Sequence, residues 1–130
     1  MEAWNYEGLG RLALRKGDLQ GALRWTGEAL KLSDQIGDEL NCVLLLARMA
    51  LVMDEIEPNS ETAARLAGAA LTVFSRIREE EVRGAPQVSE ALDTIRQIQQ
   101  RNPGVFDAGR SLTRAAAVAL ATSMPGCASD

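Results

Sequence analysis

The chain has 130 residues, 46% of them hydrophobic, and a formal net charge of −4, which suits one modest domain. The acidic balance argues against direct contact with nucleic acid, which calls for a basic face. No apolar run approaches the roughly 20 residues needed to cross a bilayer, so no membrane partner is expected. Val, Ile and the aromatics are sparse and never alternate, whereas Ala and Leu abound. An all-α fold with closely approaching helices follows.

The first helix is expected from about Glu2 to Lys16, burying Trp4, Leu9, Leu12 and Ala13. Gly17-Asp18 should break it, because Gly takes the left-handed conformation that closes a helix. A second helix, about Leu19 to Ile36, carries Leu23, Leu30 and Ile36 with Ala22, Gly27 and Ala29 between them. Gly37-Asp38 ends it and supplies an acidic cap for the third, about Asp38 to Met53. That third helix is apolar on most sides and should lie between neighbours. Asp54 to Ser60 reads as a loop, and Ser60 as the start of a fourth helix running from Glu61 into Glu79-Glu80-Glu81. Its close-packing residues are Ala63, Ala67 and Ala70. A fifth helix, about Pro86 to Arg101, shows Val88, Leu92 and Ile95 at helical spacing. Asn102-Pro103-Gly104 stops it, Val105 to Gly109 forms a short turn, and a last helix spans about Thr113 to Ser123 with Thr113 as its N-cap. Met124-Pro125-Gly126 ends the ordered chain.

Two phrases recur. Leu9-Gly10-Arg11-Leu12-Ala13 is answered by Leu46-Ala47-Arg48-Met49-Ala50, and Ala22-Leu23-Arg24, Gly27 and Ala29-Leu30 by Ala63-Ala64-Arg65, Gly68 and Ala70-Leu71. A repeat of this length marks stacked helical hairpins, which bury their faces against neighbours. The expectation is one domain: repeat one at about 2–36, repeat two at about 38–82, and C-terminal helices at about 86–124.

The hairpins resemble tetratricopeptide repeats, with Gly10, Ala22 and Ala29 answered by Ala47, Ala63 and Ala70 as the small residues where backbones meet. Thr26 and Ala67 depart from that pattern by standing where a large residue is usual, and the second inter-helix loop is longer than the first. A narrower resemblance runs from Ala63 to Ala119, through Ala63 to Ala70, Phe106, Gly109-Arg110, Leu112-Thr113 and Ala116 to Leu120. It is similar to the C-terminal helical region of bacterial LuxR-type and antibiotic-regulatory-type ATPase transcription regulators. The resemblance implies a tetratricopeptide-like α-α superhelix with an irregular helical cap, acting as the sensor or docking arm of a cytoplasmic bacterial regulator. The phosphate-binding Gly-x-x-x-x-Gly-Lys-Ser/Thr loop is missing, so ATPase activity does not carry over.

Catalytic chemistry finds little support. Histidine is absent, which removes the commonest general base and metal ligand. No serine has a nucleophile-elbow pattern around it. Asp54, Glu55 and Glu57 lack the spacing of a calcium loop and read as a solvated acidic segment. Glu79-Glu80-Glu81 at a helix C-terminus would oppose the dipole and mark fraying. Cys42 reads as a small core residue and Cys127 as an exposed one, consistent with a reducing cytoplasm. A DNA-binding reading of Gly109 to Met124 fails, since no basic helix follows Pro125-Gly126. No enzyme, no cofactor and no metal is expected.

The candidate binding residues are Arg11, Arg15 and Arg48 with Trp4 and Asn41. Arg11 and Arg48, like Trp4 and Asn41, hold equivalent places on the first helices of the two repeats. Arginines on a concave face suit carboxylates of a protein or peptide partner. The competing account has them solvated or paired with Glu7 and Asp38. Two other functions stand beside an interaction module: a small-molecule-binding domain or minor enzyme with a pocket between helices, and a self-association module. In the last, Trp4, Tyr6 and Leu9 would join two copies through the N-terminal helix.

Overall fold

A computed structural model describes residues 3–123, with side chains from residue 5 onward. Every regular element among them is a helix: α1 (Ala3–Arg15), α2 (Leu19–Ile36), α3 (Glu39–Ile56), α4 (Glu61–Phe74), α5 (Glu79–Val82), α6 (Gln87–Arg101), α7 (Pro103–Gly109) and α8 (Arg114–Thr122). No helix among the described residues is long and apolar enough to cross a membrane. The expected endings at Met124-Pro125-Gly126 and the exposure of Cys127 lie outside the described residues, as does the side chain of Trp4.

Two Gly-Asp pairs organise the N-terminal half, each performing two local tasks. Gly17 and Gly37 take left-handed φ values of +79° and +77°, which a residue with a Cβ adopts only at a cost. The next residue's N–H then reaches back to a helix carbonyl, Asp18 to Ala13 at 2.8 Å and Asp38 to Ser33 at 3.0 Å. The same aspartates cap the following helices: Gly21 N–H donates to Asp18 Oδ1 at 2.9 Å and Asn41 N–H to Asp38 Oδ1 at 3.1 Å. Short turns of this kind set consecutive helices side by side, and α1 packs on α2, α2 on α3 and α3 on α4.

α3 lies between neighbours as its composition requires, touching α2, α4 and α6. It runs one turn further than the expected end at Met53, through Asp54 to Ile56. The brake is Pro58, which bars helical backbone only at the residue before it, and Glu57 is accordingly extended (φ −135°, ψ 97°). Asp54 therefore sits on a helix, where it accepts from Arg101 Nη2 at 2.6 Å and from Asn59 N–H at 3.2 Å. This carboxylate is a strut between α3 and α6 rather than part of a solvated loop.

α4 stops at Phe74, short of the glutamates. Ser75 Oγ donates to Thr72 O at 2.6 Å, a local bond that competes with helix continuation. Glu79, Glu80 and Glu81 instead form the first turn of α5. There they complement the helix dipole, the reverse of the expected opposition.

The C-terminal helices return onto the first four. α6 contacts α3 and α4, α7 crosses α4, and α8 reaches both α2 and α4. The α4–α7 crossing is a backbone contact. A Cβ on Gly68 would strike Phe106 O, with Arg110 N at 3.0 Å, and one on Gly109 would strike Arg65 O. That closeness seats the fully buried Phe106 against α4. Arg114 then fastens α8 to the turn between α2 and α3, through Nε to Asp34 Oδ1 at 2.7 Å and Nη1 to Glu39 Oε1 at 3.3 Å. Thr113 caps α8 as expected, accepting from Ala116 N–H at 3.0 Å.

Several expected core positions fall elsewhere. Leu12 is 46% exposed and Ile36 is 74% exposed. On α6 the buried residues are Ala91, Ile95 and Ile98, with Val88 and Leu92 half-buried beside them. Ala63, Ala67 and Ala70 are fully buried as expected.

Candidate functional site

The feature of interest is a groove of about 360 Å³ between α1, α3 and α6. Its walls repeat one spacing. α3 contributes Leu44, Ala47, Arg48 and Leu51, and α6 contributes Gln87, Glu90, Ala91 and Thr94. Both sets run i, i+3, i+4, i+7, the stripe that one face of a helix presents. α1 adds Arg11, Leu14 and Arg15 at i, i+3, i+4. Ala47 and Ala91, both buried, form a floor low enough to leave space above them.

The arginines expected to share a face therefore do so. Arg11 and Arg15 are exposed at one wall and Arg48 is half-buried beneath them. Among the described residues none of the three makes an ion pair. Arg48 Nη1 is buried and has no hydrogen-bond partner. An unpaired buried donor of this kind costs about 1–3 kcal/mol, more when charged. Burial holds the Arg48 pKa below the usual guanidinium value, and the like charge of Arg11 pushes the same way, while Glu7 and Glu90 oppose both. The guanidinium still carries its charge near neutrality, since arginine titrates so far above it. The site is a cationic groove, and one of the arginines lining it holds a buried, unpaired donor.

The competing ion pairs do not form among the described residues. Asp38 is engaged at the N-terminus of α3, and Glu7 acts on Arg48 from beyond ion-pair distance. Asn41 does not join the groove: its Nδ2 donates to Ser33 Oγ at 2.8 Å, which satisfies a fully buried hydroxyl and braces α3 against α2. Tyr6 stacks on Trp25 with ring centroids 5.7 Å apart, and Arg24 lies 5.0 Å over the Trp25 ring. Part of the aromatic surface expected to seek a second copy is thus used within the chain.

The α6 wall was not foreseen from the sequence. Gln87, Glu90, Ala91 and Thr94 lie beyond the repeats, and their one detectable signal is the spacing itself. Cys42 behaves as the core residue its helix suggests. Its thiol is fully buried and pushed up to about 12, chiefly by burial and against the pull of Arg114. Compared with known protein families, curated proteins and solved structures, the chain gives no match.

Proposed function

We propose that this chain is a protein-interaction module of tetratricopeptide-like design, whose α1/α3/α6 groove receives a segment of a protein partner. The observation that carries this reading is that Arg48, with a buried and unpartnered Nη1, lines a groove together with two more unpaired arginines. A purely structural arginine would normally have its buried donors satisfied. Because that nitrogen is itself covered, the Arg48 side chain must swing into the groove to meet a partner oxygen, and charge-assisted bonds of that type contribute about 1.5–3 kcal/mol each. The likeness of the alanine-rich C-terminal half to bacterial ATPase regulators makes the sensor or docking arm of a cytoplasmic regulator the role we favour.

Selection of a random peptide library on the immobilised chain tests the proposal. The wild type should enrich peptides that the double variant Arg11→Ala, Arg48→Ala does not retain. Identical peptide sets, or none, would overturn it. The groove also falls within the size range of small-molecule pockets, so a small-ligand domain is the second reading. It is favoured if peptides fail while a small carboxylate binds.

A further inference from the structure

We infer that the groove is matched to a single carboxylate borne next to an aliphatic group, and that Glu90 makes it discriminate against dianions. The intended occupant is an Asp or Glu side chain beside a Leu-, Ile- or Val-like residue of a partner segment. The inference rests on the groove being the binding surface. Its charges are nearly balanced: Arg11, Arg15 and Arg48 face Glu90 on the α6 wall, with Glu7 also acting on Arg48. The lining alone carries two formal positive charges, and Glu7, outside it, offsets one of them. A carboxylate neutralises the one that remains, whereas a phosphate dianion overshoots and meets Glu90 across the groove. Geometry points the same way. The planar guanidinium suits a planar carboxylate, and Leu14, Leu44 and Leu51 line the remainder of the groove, each half-buried with apolar surface to cover.

The test uses the purified chain with ¹⁵N-labelled arginine, following the Arg48 Nε–H signal by NMR. Sodium 4-methylpentanoate and inorganic phosphate are the two probes, at matched ionic strength and about pH 8, where phosphate is chiefly a dianion. In the wild type, 4-methylpentanoate should give a saturable shift with an affinity about tenfold above that of phosphate, a difference near 1.4 kcal/mol. Glu90→Gln, a change at an exposed position, should narrow that ratio at least threefold. Phosphate binding as well as the carboxylate in the wild type, or a ratio that Glu90→Gln leaves unchanged, would overturn the inference. Peptides selected through the arginines without any saturable effect of 4-methylpentanoate would sink the inference and leave the interaction reading standing. A saturable carboxylate shift with no selected peptide would sink the interaction reading instead.

Discussion

Gly68→Ala is the sharpest test of how the C-terminal helices are held. The added methyl would strike Phe106 O, with Arg110 N at 3.0 Å and Gly109 C at 3.2 Å. All three are backbone atoms, so no side chain can rotate away and α7 must lift from α4. Overpacking of this kind costs about 1–3 kcal/mol. Lifting α7 also loosens Phe106, now fully buried. Complete truncation of a buried Phe costs about 3–5 kcal/mol, and a partial loss about a third of that. Alanine returns about 1 kcal/mol through its better helix propensity. The net is a loss of about 1–4 kcal/mol, or roughly 4–16 °C in Tm for a domain of this size. Gly8→Ala is the control, since a Cβ there meets nothing within 4 Å, and it should gain about 0.5–1 kcal/mol. Thermal unfolding followed by circular dichroism at the helical band measures both. A Gly68→Ala protein as stable as wild type would refute the backbone crossing of α4 and α7.

Two further outcomes follow from buried groups. The Cys42 thiol is pushed up to about 12 from its ordinary 9.0, so above pH 9 the unfolded chain releases a proton that the folded chain keeps. Stability should be unaffected by this group below pH 9 and fall as pH rises towards 12, by at most about 1.4 kcal/mol per unit. Urea titrations of Cys42→Ala against its parent should show a shallower alkaline loss, and an aromatic disulfide reagent should label Cys42 only as the chain unfolds (both in a Cys127→Ser background). Arg114→Ala removes the clasp to Asp34 and Glu39, whose side chains leave it 28% exposed. It should cost about 1–2 kcal/mol in dilute buffer and less in molar salt. Equal losses at both ionic strengths would show that the side chain acts through packing alone.

Local chemistry was the most legible part of the sequence. Gly17-Asp18 and Gly37-Asp38 could be read because a left-handed closure and an N-cap depend on neighbouring residues only. Proline was read too broadly: Pro58 constrains Glu57, and the acidic residues before it were free to extend α3. The end of α4 carried no strong stop signal, because a serine back-bond and an extended Arg78 depend on the chain already having turned. Helix faces were ambiguous for the same kind of reason. Val88, Leu92 and Ile95 have the same spacing as Ala91, Ile95 and Ile98, and only packing on α3 and α4 selects between them. Ile36, beside the left-handed Gly37, sits where the helix face turns out to solvent. For the groove, the repeat brought out Arg11 and Arg48, but nothing in the sequence disclosed that α6 would supply the opposite wall.

Whether Arg48 serves a partner or the fold is decided by replacing it with methionine, which keeps an apolar stem and removes the unpaired donor. Relieving that burial should stabilise the chain by about 1 kcal/mol, or roughly 4 °C in Tm. The same change should weaken binding of a selected peptide about tenfold or more. The measurement is the pair of values on one protein, Tm and peptide Kd, against wild type. A raised Tm with lost affinity is what the account predicts, and a lowered Tm with unchanged affinity would contradict it.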